Sequence, residues 1–260
     1  MKKMSRKVII AGNWKMNKNA AEGKALVDEL KAICSNCCCC CEADVVVCPP
    51  FTTIASVVEA VKGTAIKVGA QNIHWADNGA FTGEISGDML KTAGVEYVII
   101  GHSERRQYFG ETDATVNARL KAALKYDLIP IVCIGELLEE RESGKTNEVL
   151  TRQIRGGFEG ISAADMEKTI VAYEPVWAIG TGKTATPEIA QDAHAHIRKE
   201  IADMFGCEVA EKVRIQYGGS MKAANARELV AQKDIDGGLI GGAALKAGDF
   251  SELIKEALGK

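Results

Sequence analysis

A strand–helix–strand unit near the middle of the chain decides the fold. Tyr97-Val98-Ile99-Ile100-Gly101 and Ile129-Pro130-Ile131-Val132-Cys133-Ile134 are continuous apolar runs, and residues 115–126 between them place apolar side chains at steps of three and four. Because neither run alternates polar with apolar residues, both faces of each strand are expected to be buried. Parallel strands joined by a crossover helix meet this condition, since the helices cover the sheet.

The same unit recurs along the whole chain. Eight predicted strands alternate with helical segments, and they cover residues 7–12, 44–48, 66–70, 97–101, 129–134, 169–173, 213–217 and 239–241. Clear amphipathic helical patterns include residues 20–33, 115–126, 188–204 and 223–231. No Pro- or Ser-rich linker interrupts the series, so residues 1–260 are expected to form a single domain. Eight units in this length predict an α/β fold in which eight parallel strands close into a (β/α)₈ barrel, rather than a doubly wound sheet.

Composition excludes several function classes. The chain is 47% hydrophobic and 26% charged, which is too apolar for a disordered protein. Its 32 Lys and Arg residues are balanced by 35 Asp and Glu residues, so no basic surface is expected for nucleic acid. The apolar stretch 8–12 is too short for a signal peptide, and no apolar run reaches 18 residues. We therefore expect a cytoplasmic protein that binds neither nucleic acid nor membrane.

The cysteines do not form a disulfide framework. Five of the nine are consecutive, Cys37 to Cys41, and Cα atoms of neighbours lie about 3.8 Å apart, below the roughly 4.4 Å that an unstrained disulfide needs. A reducing compartment is expected. The spacing Cys34-x-x-Cys37-x-x-Cys40 resembles that of metal ligands, but no second ligand pair lies nearby, so no metal site is predicted. A loop irregularity is favoured, and a metal-binding or redox role stays open as an alternative.

A nucleotide cofactor is not expected either. Gly180-Thr181-Gly182-Lys183-Thr184 matches the end of a phosphate-binding P-loop, but Trp177 stands where that motif needs its first glycine. No Gly-x-Gly-x-x-Gly follows a predicted strand.

Candidate functional side chains follow three of the strands, where barrel enzymes carry their chemistry. Asn13 and Lys15 follow the first strand, His102 follows the fourth, and Glu174 ends the sixth. Ser103 can begin a short helix whose N–H groups would favour a neutral His102 ring. The segment after Glu174 has a stiff Pro-Val-Trp entry and a flexible Gly-Thr-Gly part, which is typical of a lid.

Paired glycines follow the last two strands. They occur in Tyr217-Gly218-Gly219-Ser220 and in Ile240-Gly241-Gly242-Ala243-Ala244-Leu245. In barrels, a phosphate commonly binds to the loops after strands seven and eight, so these pairs predict a phosphate site.

Three segments together resemble the triosephosphate isomerase family. They are Gly12-Asn13-Trp14-Lys15-Met16-Asn17, Gly101-His102-Ser103-Glu104-Arg105-Arg106, and residues 172–182, and the resemblance extends from Val8 to Leu258. It implies a TIM barrel and an intramolecular aldose–ketose isomerase of glycolysis and gluconeogenesis. The implied reaction interconverts dihydroxyacetone phosphate and D-glyceraldehyde 3-phosphate without a metal or an organic cofactor.

The resemblance also implies the role of each catalytic residue. Glu174 would be the base that moves the carbon-bound proton, and His102 would be the neutral electrophile that donates to the substrate oxygens. Lys15, assisted by Asn13, would place positive charge near the phosphate and the enediolate. Glu104 would be the partner of Lys15.

The phosphate-binding residues carry over in the same way. The resemblance implies that backbone N–H groups of Gly180, Ser220, Gly241 and Gly242 hold the phosphate. Ala244 stands where the family usually has serine, which removes a hydroxyl group but no backbone donor.

Residues 71–84 resemble the projecting third loop of the family, which implies a homodimer in which Thr82 reaches toward the partner's site. His74 belongs to this interface segment by resemblance. Trp75 and Phe81 on a protruding loop also need a partner surface, which independently favours association.

Two other functions remain as alternatives. A Schiff-base aldolase could use the same phosphate-binding barrel, but it needs a desolvated, neutral lysine, and the presence of both Glu174 and His102 disfavours it. A thiol or metal-binding role centred on residues 34–41 would leave the barrel as a scaffold.

Overall fold

The computed structural model describes residues 6–34, 42–179 and 184–260. Eight parallel strands form a closed barrel in sequence order, and β1 pairs with both β2 and β8. The strands are β1 (Ile9–Asn13), β2 (Asp44–Cys48), β3 (Lys67–Ala70), β4 (Tyr97–Ile100), β5 (Ile129–Ile134), β6 (Ile170–Tyr173), β7 (Arg214–Tyr217) and β8 (Gly237–Ile240). The prediction of a closed (β/α)₈ barrel is therefore confirmed.

Helices follow the strands and surround the barrel. Those of the described residues are α1 (Ala20–Cys34), α2 (Ile54–Val61), α3 (Gly87–Thr92), α4 (Ser103–Tyr108), α5 (Asp113–Lys125), α6 (Leu138–Glu142), α7 (Thr146–Gly157), α8 (Ala163–Lys168), α9 (Pro187–Phe205), α10 (Cys207–Lys212), α11 (Ala223–Val230) and α12 (Ala247–Ala257). The four predicted amphipathic helices correspond to α1, α5, α9 and α11, with ends that differ by at most two residues. Helix α9 begins where its sequence predicts, because the Thr186 side chain caps the Ile189 N–H and Pro187 occupies the first turn.

The core has two layers, which explains the continuous apolar strands. Alternate residues fill the barrel interior, and these include Ile9, Ala11, Val46, Ile99, Ile131, Cys133 and Ala172. The residues between them, such as Val98, Val132 and Val171, pack outward against the helices. Both faces of the sheet are buried, so neither face requires polar residues.

The eighth strand begins two residues before its predicted start, at Gly237 and not at residue 239. Two consecutive glycines lack the side chains that mark a strand in sequence. The backbone of Gly237 lies so close to β1 that a Cβ atom there would stand 1.8 Å from the Ile9 carbonyl oxygen. Closure of the barrel between β8 and β1 therefore requires a glycine at this position.

The described cysteines include both free thiols and a disulfide-bonded residue. Cys48, Cys133 and Cys207 carry free thiols, whereas Cys34 at the end of α1 is disulfide-bonded. The expectation of reduced cysteines therefore holds for the first three and is wrong for Cys34. The consecutive run from Cys37 to Cys41 lies outside the described residues.

The described residues contain neither a membrane-spanning helix nor a cluster of metal ligands. No helix in residues 6–34, 42–179 and 184–260 is long and apolar enough to cross a membrane. No group of three or more His, Cys, Asp and Glu side chains in these residues is arranged to hold a metal ion.

Candidate active site

A cavity of about 650 Å³ opens at the carboxyl ends of the strands. Because the strands are parallel and in register, the residues that end or follow them lie on one rim. The cavity is lined by the predicted catalytic residues Asn13, Lys15, His102 and Glu174 and by the predicted phosphate-binding residues Ser220, Gly241 and Gly242. The structure therefore brings together seven of the nine residues that the sequence assigns to the site. Glu104 contacts the site through Lys15, and Gly180 lies outside the described residues.

Glu174 and His102 are in direct contact at the floor of this cavity. Glu174 Oε1 lies 2.9 Å from His102 Nε2, and the Ser103 N–H donates to Glu174 Oε2 at 2.8 Å. Glu174 is 2% exposed and His102 is 6% exposed. The carboxylate is thus almost dehydrated and is held by two donors.

These donors set the charge of Glu174. Burial by itself would raise the pKa of this carboxyl group. His102, the Ser103 N–H and Lys15 outweigh burial, so the pKa of Glu174 lies below its ordinary value. The side chain is therefore ionised near neutral pH, which is the state that a general base needs.

His102 is oriented by the start of helix α4. Its Nδ1 accepts the Glu104 N–H at 3.2 Å, so Nδ1 carries no proton and Nε2–H points toward Glu174. Burial lowers the pKa of His102, but the Glu174 carboxylate and Glu104 raise it by more. The hydrogen bond to Nδ1 favours a neutral ring, while the Glu174 carboxylate favours a charged one. The effect of the Glu174 carboxylate on the ring disappears when Glu174 is protonated.

Lys15 is held in an unusual backbone conformation. Its φ of 52° is in the left-handed region, which costs free energy in a residue other than glycine. The Asn13 side chain accepts the Lys15 N–H at 3.0 Å, and the Gln71 amide donates to the Lys15 carbonyl at 2.8 Å. Lys15 Nζ then lies 2.5 Å from Glu104 Oε1. Asn13 and Gln71 thereby fix where the ammonium group enters the cavity.

The lid entry after Glu174 is anchored to Glu136. The Trp177 indole N–H donates to Glu136 Oε1 at 2.8 Å, and the Tyr173 hydroxyl donates to the same oxygen at 3.0 Å. The Arg141 guanidinium lies over the Trp177 ring, 4.5 Å from its centroid. Residues 180–183 of the predicted lid lie outside the described residues.

The two glycine pairs differ in what they do. Gly218 and Gly219 pack tightly, since Cβ atoms there would lie 2.8 Å from Glu174 Cγ and 2.3 Å from the Tyr217 hydroxyl oxygen. A Cβ at Gly242 would meet no atom within 4 Å. The first pair is therefore needed for packing beside Glu174, while the second leaves its backbone open to the cavity.

Sequence reasoning missed Gln71 and Glu136 as site residues. Each follows a strand directly or within two residues: Gln71 follows β3, and Glu136 follows β5. Their positions at strand ends, where polar residues carry the chemistry of barrels, are the sequence signal that marks both.

Comparison with known proteins agrees with this geometry. The family model for triosephosphate isomerase matches residues 8–257. The triosephosphate isomerase of Clostridium novyi (strain NT) is 56% identical over 249 residues, which cover 96% of this chain and 98% of the relative. That of Alkaliphilus oremlandii (strain OhILAs) is also 56% identical, over 96% of this chain and 99% of the relative. That of Fusobacterium nucleatum subsp. nucleatum is 54% identical over 250 residues, 96% of this chain and 98% of the relative. The chain belongs to the triosephosphate isomerase family.

Proposed function

We propose that this chain interconverts dihydroxyacetone phosphate and D-glyceraldehyde 3-phosphate, with Glu174 as the base and His102 as the electrophile. The observation that carries the proposal is the contact of a buried, ionised Glu174 with the Nε2 of His102 at 2.9 Å, on the wall of a cavity that also contains Lys15. This isomerase reaction belongs to glycolysis and gluconeogenesis.

The proton moves between two carbon atoms of the substrate. Glu174 takes the proton from the carbon next to the carbonyl group; the electron pair of that C–H bond forms a C=C bond, and the π pair of the carbonyl group moves to its oxygen. The product of this step is an enediolate and a protonated Glu174. A proton then passes from the hydroxyl oxygen to the former carbonyl oxygen, and Glu174 returns its proton to the neighbouring carbon, which gives the isomer and restores the carboxylate.

His102 stabilises the enediolate as a hydrogen-bond donor. Its Nε2–H contacts Glu174 in this structure, so a substrate oxygen must replace that contact when substrate binds. Protonation of Glu174 then removes the larger of the two negative charges that favour an imidazolium ring, the other being that of Glu104. The Glu104 N–H, which is bonded to Nδ1, favours the neutral ring at the moment when charge develops on the substrate.

Lys15 supplies the positive charge of the site. Its ion pair with Glu104 orients the ammonium group, and Asn13 fixes its backbone. The aldolase alternative is disfavoured because it needs a desolvated lysine, whereas the Lys15 side chain is 30% exposed and ion-paired to Glu104 at 2.5 Å. The thiol-centred alternative depends on residues 35–41, outside the described part of the chain.

The phosphate would be bound by the loops that follow β7 and β8. Ser220, Gly241 and Gly242 line the cavity there, and their backbone N–H groups suit a phosphate dianion. Gly180 is assigned to the same role by resemblance alone.

We also propose that the chain acts as a homodimer. Large apolar side chains are exposed in the segments that follow β1, β3 and β4, and they are Met16, Trp75, Phe81, Tyr108 and Phe109. Exposed apolar side chains at one end of the barrel favour a partner surface, and Thr82 directly follows Phe81 in the third loop. A cytoplasmic location fits substrates that are charged phosphate esters.

The test is a coupled assay of isomerisation in the presence of a chelator. Turnover by the purified protein is expected without added metal or nucleotide. Lack of turnover, or trapping of a substrate adduct by borohydride, would contradict the proposed reaction.

A further inference from the structure

The segment after β5 supports the backbone of Glu174. The pairing of β5 with β6 ends at Ile134 and Tyr173, but the hydrogen bonding continues beyond it. The Glu174 N–H donates to the Ile134 carbonyl at 2.7 Å, and the Val176 N–H donates to the Glu136 carbonyl at 3.1 Å. The main chain on both sides of the base therefore depends on the position of residues 134–136.

Gly135 stands between these two bonds and touches Glu174 directly. A Cβ atom on Gly135 would lie 1.7 Å from the Glu174 carbonyl oxygen. The two backbones are thus in close contact, and movement of Gly135 would move Glu174.

The peptide groups of Gly135 face away from β6. In a strand, successive residues direct their N–H and C=O groups to opposite sides, so those of Gly135 point toward the position that β4 would occupy. Strand β4 ends at Ile100, and Gly101 turns the chain away with a φ of 68°. No strand neighbour is left for Gly135 on that side.

The Gln153 side chain takes the place of this missing neighbour. The Gly135 N–H donates to Gln153 Oε1 at 2.7 Å, and Gln153 Nε2 donates to the Gly135 carbonyl at 3.1 Å. Gln153 belongs to α7 and is 6% exposed. One buried amide therefore satisfies both backbone groups of Gly135.

A cavity beside the contact between Gln153 and Gly135 makes the Gln153 amide important for holding Gly135 in place. A second cavity, of about 360 Å³, is lined by Gln153, Gly135, Glu174 and Val176. Because this side of the segment is not filled by packed side chains, the two hydrogen bonds from Gln153 are what prevents Gly135 from shifting into the cavity.

We infer that Gln153 is a positioning residue for the catalytic base, acting on Glu174 through the backbone of Gly135. The inference rests on the proposed role of Glu174. Gln153 touches neither the substrate nor the reacting atoms in this proposal.

The test is Gln153→Met, which keeps the length of the side chain and removes both hydrogen bonds. A displacement of the base by about 1 Å can cost about 10²-fold in rate, so we expect kcat to fall by about 10- to 100-fold. KM and the inhibition constant of inorganic phosphate should stay within about threefold, because the phosphate-binding loops follow other strands.

Gln191→Met is the matched control. Gln191 also uses both ends of its amide, accepting the Asp234 N–H at 3.0 Å and donating to Asp234 Oδ2 at 2.6 Å. Asp234 lies before β8, at the opposite end of the barrel. This variant should lose thermal stability as Gln153→Met does and keep kcat within about threefold.

Equal kcat values for Gln153→Met and the unmodified protein would overturn the inference, as would an equal fall in both variants. If Gln153→Met does not fold, Gln153→Glu keeps the acceptor for the Gly135 N–H and is measured by the same criteria. Glu174→Gln is assayed beside them. An inactive unmodified protein, or a fully active Glu174→Gln, refutes the proposed function, whereas a fully active Gln153→Met refutes this inference alone.

Discussion

The contact between Gly135 and Glu174 makes a sharp prediction for Gly135→Ala. The added Cβ atom would lie 1.7 Å from the Glu174 carbonyl oxygen, and real Cβ atoms essentially never approach closer than 3.0 Å, so the two segments must separate by at least 1.3 Å. Because Glu174 N–H is bonded to the residue before Gly135, much of this shift reaches the base. A misplacement of about 1 Å costs about 10²-fold in rate, or about 2.7 kcal/mol in the barrier.

The assay measures kcat and KM in both directions of the reaction, together with the melting temperature. We expect a folded protein whose kcat is at least about 10²-fold lower and whose KM changes little. Gly157→Ala is the control, since a Cβ atom there meets only Val116 Cγ1 at 3.7 Å, an ordinary contact. A folded Gly135→Ala protein with kcat within about threefold of the unmodified protein would refute the reasoning.

Three further predictions concern the dimer, the cysteines and pH. Replacing residues 80–83 with a shorter polar turn should give soluble monomers with kcat lowered by about 10²-fold, and fully active monomers in sedimentation and assay at matched concentration would contradict the dimer proposal. Changing all of Cys37 to Cys41 to Ser should leave kcat/KM within about threefold, because the run connects α1 to β2 in the sequence, and helix-to-strand connections of a barrel are expected at the end opposite the catalytic one; a hundredfold loss, or release of stoichiometric zinc or iron, would revive the metal alternative. The pKa of Glu174 is lowered from 4.5, so the carboxylate of Glu174, identified in an infrared titration of the free protein by its absence from Glu174→Gln, should persist to below pH 4.5. Protonation of this carboxylate above that pH would show that Glu174 is not held as a carboxylate.

The fold could be predicted from sequence because its signals are local and repeated. Each strand is a continuous apolar run, and each run is followed by a helical pattern, so eight weak signals support one architecture. The start of strand β8 was predicted two residues too late, because Gly237 and Gly238 carry no side chains to mark it. A glycine is required at position 237 because β1 approaches it closely. No local sequence pattern contains that contact.

The candidate site could likewise be predicted only in part, because strand-end residues carry a local signal and the residues that hold them do not. Asn13, His102 and Glu174 stand at strand ends, where the topology predicts chemistry, so the sequence could place them on one rim. Gln71 and Glu136 act by holding other residues, Gln71 through the Lys15 carbonyl and Glu136 through Trp177. Gln153 lies inside a helix, 18 residues from the glycine that it holds. Pairings at such distances depend on the packed structure and leave no periodic signal.

The central claim is that Glu174 moves the proton, and Glu174→Gln tests it most directly. The variant keeps the size of the side chain and removes the carboxylate, and Glu228→Gln on the exposed face of α11 is the matched control. Both are compared with the unmodified protein in the coupled assay with chelator present. We predict that Glu174→Gln folds normally and loses at least about 10²-fold in kcat, while the control keeps full activity. A folded Glu174→Gln protein that retains most of its kcat would contradict the claim and place the base elsewhere.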